Sequence, residues 1–149
     1  MRALALAGLL LAPPADASPL CDLVDQVVDS GLSAPMFETV STSEHGMPAG
    51  KLVPEGWVRC TIARTDATTG RYLCYGPAGY PQATTLAHLV SVNAELARCT
   101  GIEGRVPEAG AVNDSQRDFP MLHGSILVTI ATYIDDGDIR MRIDFTHPA

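Results

Sequence analysis

The sequence predicts an α+β domain in two layers, an antiparallel sheet of four to five strands with two helices packed on one face. Three observations carry this. Segments near residues 20–30 and 84–99 repeat apolar residues at helical spacing along one stripe only. Two pairs of segments, 57–64 with 71–76 and 126–134 with 139–145, alternate as strands do and are joined by turn-forming residues. Helices and a sheet that are each apolar on one side bury those sides most economically against one another. The expected order is α-β-β-β-α-β-β.

The chain opens with Met1-Arg2, an apolar run from Ala3 to Ala12, and Pro13-Pro14-Ala15-Asp16-Ala17. A positive charge, about ten apolar residues and an A-x-A site have the form of a bacterial export signal peptide, residues 1–17, cut after Ala17. The run is shorter than the roughly 20 residues that cross a bilayer. Lipidation at Cys21 would need a small residue directly before it, whereas Ser18-Pro19-Leu20 stands there. Residues 18–149 then form one secreted or periplasmic domain with no membrane insertion in the mature form.

Leu20, Leu23, Val24, Val27 and Val28 line one side of the first helix, with Asp22, Asp25, Gln26 and Asp29 opposite. Asp22 suits the helix dipole and Gly31 provides a stop. Phe37–Ser41 reads as a short strand. Residues 44–56, with three glycines and two prolines, read as a loop. If 57–64 and 71–76 pair about Ala67, Cys60 meets Cys74 and Ile62 meets Tyr72. Val58, Cys60, Ile62, Tyr72 and Cys74 then share one face, and Trp57, Arg59, Thr61, Leu73 and Tyr75 the other. Thr84 or Thr85 can cap a second helix through Leu86, Leu89, Val90, Asn93, Leu96 and Ala97 to Cys99 and Gly101. Residues 101–122, rich in Gly, Pro and Asp, read as a long loop.

The last hairpin is the plainest local signal. Ile126, Val128, Ile130, Thr132 and Ile134 alternate, Asp136-Gly137 suits a type I′ turn, and Ile139, Met141, Ile143 and Phe145 alternate again. That register pairs Ile134 with Ile139, Ile130 with Ile143 and Val128 with Phe145, and a slip of one residue would scramble the apolar face. The outer face receives Tyr133 opposite Arg140, Ala131 opposite Arg142 and Thr129 opposite Asp144.

The four cysteines suit an oxidising compartment and two disulfides. The hairpin register pairs Cys60 with Cys74. Antiparallel helices would bring Cys21, at the start of the first, to Cys99, at the end of the second. No C-x-x-C spacing and no i, i+4 histidine pair among His45, His88, His123 and His147 suggests a metal site, and no cofactor is implied. Asp135-Asp136-Gly137-Asp138 lacks calcium-loop ligand spacing and has the residues a tight turn needs. No G-x-S-x-G elbow occurs, and no pair among the seventeen acidic residues is distinguished. The formal charge of −7, unchanged by losing Arg2 and Asp16 with the signal, disfavours nucleic acid as a partner.

One constellation remains. Trp57, Arg59, Tyr75, Tyr133, Arg140 and Arg142 would project from the sheet face away from the helices. Arg59–Tyr75 and Arg140–Tyr133 cation–π pairs are expected across strands. Arginine and aromatic side chains are enriched at interface hot spots. The plainer alternative is a solvated face on which arginine stems cover apolar surface.

Cys21 opening a helix, Trp57-Val58-Arg59-Cys60, Tyr72-Leu73-Cys74 and a helix ending in Cys99 resemble small exported two-disulfide proteobacterial domains that carry no assigned activity. The element order resembles the type III secretion chaperone-like α/β sandwich, which binds polypeptides, although those chaperones are cytosolic and no functional residue transfers from either. The expected function is a non-catalytic binding or inhibitor-like module that engages a periplasmic or extracellular protein through its outer sheet face. The alternative is a small envelope-acting hydrolase, motivated by the export signal alone.

Overall fold

A computed structural model describes residues 18–77, 82–101, 117–123 and 126–147. The export-signal reading of residues 1–17 lies outside them. Two helices, α1 (Pro19–Gly31) and α2 (Gln82–Thr100), accompany strands β1 (Ser41–Glu44), β2 (Met47–Gly50), β3 (Arg59–Arg64), β4 (Gly70–Tyr75), β5 (Arg117–His123), β6 (Ile126–Asp135) and β7 (Asp138–Thr146). The strands form one antiparallel sheet in the order β1-β2-β3-β4-β7-β6-β5. The α+β class and two-layer arrangement are as expected, but the sheet has seven strands where four to five were expected.

In α1, Pro19 sits in the first turn and the Ser18 hydroxyl accepts a hydrogen bond from the Leu20 amide at 3.2 Å, which caps the helix. Leu23, Val24, Val27 and Val28 are buried. Gly31 does not stop the helix as a left-handed cap; it is the last helical residue. A Cβ there would lie 2.8 Å from the Phe37 ring, so glycine provides close approach. Phe37 is not in a strand either. It takes a left-handed φ of 61° and turns its ring into the core, 5.7 Å from that of Tyr72.

Residues 44–56 are not all loop, because β1 and β2 form a hairpin over His45-Gly46, whose φ values of 51° and 78° match the two positive angles of a type I′ turn. Asp136-Gly137 makes the same turn between β6 and β7, with φ values of 52° and 85°. Every anticipated pair of that hairpin is present, from Ile134 with Ile139 to Thr129 with Asp144. Likewise Cys60 pairs with Cys74 and Ile62 with Tyr72. Thr84 and Thr85 do not cap α2 but lie inside it, since the helix begins at Gln82. The expected loop over 101–122 contains β5, which runs on to His123. Pro120 interrupts the strand's sequence pattern, but β5 is an edge strand, where a missing amide hydrogen is tolerated.

The core lies between the helices and the inner sheet face, and joins Leu23, Val24, Val27, Leu89 and Leu96 to Cys60, Ile62, Tyr72, Cys74, Val128, Ile130, Ile143 and Phe145. Beside it, Gly50 lets the Tyr72 ring approach: a Cβ at Gly50 would collide with Tyr72 Cζ and its hydroxyl oxygen. That hydroxyl donates to the Leu52 carbonyl at 2.7 Å and accepts from the Leu52 amide at 3.0 Å. Burial pushes the Tyr72 phenol up to about 12, against the opposing effect of the Leu52 hydrogen bond.

Both anticipated disulfides are present, Cys60–Cys74 within the sheet and Cys21–Cys99 between the helices. The start of α1 therefore sits on the end of α2, where Ser18 also contacts Glu95. Two disulfides fit an oxidising compartment. Among the described residues no helix is long and apolar enough to cross a membrane.

Candidate functional site

The outer face of the sheet is built from β3, β4, β7 and β6, and none of its described residues joins the core cluster. Antiparallel register lays the side chains out in rows. Arg59, Tyr75, Arg142 and Ala131 form one row, and Thr61, Leu73, Asp144 and Thr129 the next. A third comprises Ala63, Arg71, Thr146 and Leu127. Tyr133 and Arg140 oppose one another beyond the first row.

Within these rows the side chains form a continuous ladder. The Arg59 guanidinium lies over the Tyr75 ring, 5.6 Å from its centroid. Tyr75 meets Tyr133 edge to face at 6.2 Å. The guanidinium over Tyr133 is that of Arg142, at 5.8 Å, reached diagonally, and not the expected Arg140 directly opposite. Arg142 also lies 3.9 Å from Asp144. Asp144 is paired with Arg71 and accepts a hydrogen bond from the Thr146 hydroxyl at 2.9 Å. Its side chain is only 6% exposed, whereas Arg71 remains 48% exposed. The Arg142 Nε is buried and has no hydrogen-bond acceptor among the described residues. A desolvated guanidinium held over a ring in this way is organised before any ligand arrives.

Four of the six residues singled out from sequence, Arg59, Tyr75, Tyr133 and Arg142, are thus joined, and Arg140 stands beside them opposite Tyr133. Trp57 is not. It precedes β3 and packs against the core on the helix side, next to Val92 of α2. Val58, expected on the core face, is instead 63% exposed, because β3 begins after it and Trp57 takes the inward place. Arg71 and Asp144 were not singled out as site residues. They join the ladder through the pairing of β4 with β7, strands far apart in sequence, so no local pattern foretold it.

Chemically the face offers cationic and aromatic surface with one neutralised carboxylate. No protein-family model, no curated protein and no solved structure matches the chain.

Proposed function

We propose that the chain is an exported, non-catalytic module that binds a protein of the periplasm or cell exterior through its outer sheet face. The observation that carries this is the Arg59–Tyr75–Tyr133–Arg142 ladder on the face that neither helix packs against. In a chain of net charge −7 these arginines, with Arg71 and Arg140, concentrate positive charge on one side, which favours an acidic partner surface. Both disulfides support a destination outside the cytoplasm. Removal of residues 1–17 would leave Ser18, the cap of α1, in place.

Capture from periplasmic extract tests the reading. A partner retained by the wild-type protein is expected to be lost from the Arg59→Glu, Arg140→Glu double variant, while the unfolding midpoint moves by no more than about 4 °C. A partner still captured by a folded double variant overturns the assignment of the face. Intact-mass measurement of the exported protein is expected to show Ser18 as the first residue and no acyl chain on Cys21.

A further inference from the structure

A second site lies on the helix side of the sheet, away from the ladder. A groove of about 270 Å³ is lined by Glu55, Gly56, Trp57, Pro77, His88, Ser91 and Val92. One wall is the turn leading into β3. The Trp57 amide donates to the Pro54 carbonyl at 3.0 Å, and Gly56 takes a left-handed φ of 78° that completes the turn. The next amide, Val58, donates to the Tyr75 carbonyl at 3.0 Å. The backbone is thus pinned on both sides of the indole, which is half-buried and packed against the core. The other wall is α2, where the spacing of His88, Ser91 and Val92 places them on one helix face.

The composition narrows the ligand. A fixed indole offers a flat apolar platform whose electron-rich face attracts C–H groups. Around it Glu55 accepts hydrogen bonds, while His88 and Ser91 can donate or accept. No arginine or lysine is among the described lining residues, so phosphate and carboxylate ligands find no countercharge from them. A ring with an apolar C–H face and a rim of hydroxyls meets both requirements. The volume is near the lower end of the roughly 300–1,000 Å³ typical of ligand pockets, which suits one ring at a time.

We propose that this groove binds a single sugar ring of a neutral oligosaccharide, stacked on Trp57 and hydrogen-bonded through Glu55, His88 and Ser91. Among the described lining residues Glu55 is the one carboxylate, half of the pair a glycosidase uses, so the groove is assigned to holding the sugar and not to cleaving it.

Trp57 is the only tryptophan of the chain, so its emission reports on this groove alone. Titrating the disulfide-bonded protein with cellotetraose, and separately with chitotetraose, is expected to shift that emission saturably with at least one of them, at a Kd of about 1 mM or below. Glu55→Gln is expected to raise that Kd about tenfold, while the folded Arg59→Glu, Arg140→Glu variant binds as the wild type does. Retained sugar binding in that variant separates this site from the outer face, whatever becomes of the protein partner. No saturable shift with either oligomer up to about 10 mM overturns the proposal. So does a shift that survives Glu55→Gln combined with His88→Ala, or the appearance of shortened oligosaccharide.

Discussion

Tyr72 and Tyr75 stand three residues apart on β4, face opposite ways, and are covered by different means. Tyr72 is fully buried between the rings of Phe37 and Phe145, 5.7 and 6.0 Å away, under the helix layer. Tyr75 is half-buried, between the Arg59 guanidinium and the edge of Tyr133. The inner tyrosine relies on segments brought together from across the chain. The outer one relies on residues that strand register places beside it. Substitutions on the inner side should therefore be felt as lost stability, and those on the outer side as lost recognition.

The largest effect should come from the tie that holds the helix layer over the inner face. The Cys21–Cys99 bridge spans 78 residues, and in the chain-entropy model its removal by Cys21→Ser with Cys99→Ser costs about 4.5 kcal/mol. The Cys60–Cys74 bridge spans 14 residues and is expected to cost about 3 kcal/mol by the same reasoning. Denaturant titration of the two double-serine variants checks the order. If the short bridge costs more, the helix layer does not depend on its covalent tie. Next in size is Gly50→Ala, which drives a methyl group onto the Tyr72 ring and hydroxyl. Overpacking of this kind costs about 1–3 kcal/mol, read as a lower denaturation midpoint at unchanged slope. A neutral result would mean that Tyr72 can move aside.

The same contrast explains what was legible in the sequence. The β6–β7 hairpin was readable to the residue because alternation, Asp136-Gly137 and a one-sided apolar face all specify one register. The β1–β2 hairpin has the same turn at His45-Gly46, but Ser41–Glu44 and Met47–Gly50 present no alternating apolar face, so the turn had nothing to be read against. In β5, Pro120 concealed a strand that only its place at the sheet edge permits. Of the outer ladder, the Arg59–Tyr75 pair is legible from hairpin register, whereas Tyr133 takes Arg142 diagonally in place of the Arg140 that register sets opposite it. The remainder, Arg71 with Asp144 and the edge contact of Tyr75 with Tyr133, follows from β4 pairing with β7, and Trp57 lies on the helix side because β3 begins only at Arg59, so strand alternation does not reach it.

A pH titration sharpens the inner half of the comparison. Burial raises the Tyr72 phenol to about 12 from its ordinary 10, so the folded state holds this proton more tightly than the unfolded chain. The contribution is fully present below pH 10 and is lost as pH rises from 10 towards 12, the range in which the unfolded tyrosine has lost its proton and the folded one has not. At pH 11 the loss should reach about 1.4 kcal/mol relative to pH 9. Urea titrations at both pH values check this. Tyr72→Phe, although less stable throughout for want of its hydrogen bonds to Leu52, should lose that part of the slope. An unchanged slope would show that Tyr72 ionises as readily in the fold as outside it.

The weakest single contact, that of Arg59 with Tyr75, belongs to the outer ladder and gives the comparison its finest test. Arg59 is exposed, so its contact with Tyr75 should be worth about 0.5–1 kcal/mol, the range of an exposed cation–π pair. A double-mutant cycle with Arg59→Ala and Tyr75→Leu isolates it from the packing that each residue provides alone. Arg142 over Tyr133 is more deeply placed, with its side chain 18% exposed and its Nε buried. Less water competes for that guanidinium, so the coupling in the corresponding Arg142→Ala, Tyr133→Leu cycle should be the larger of the two, approaching about 2 kcal/mol. The Arg142 cycle also disturbs Asp144, but Arg71 and Thr146 remain on that carboxylate in every corner, so the disturbance largely cancels. If the two couplings are equal, desolvation within the ladder adds nothing, and the face is a set of separate surface contacts. If the Arg142 pair is stronger, long side chains in register bury a sheet face that neither helix covers, and leave Arg59 and Tyr75 as the part most open to a partner.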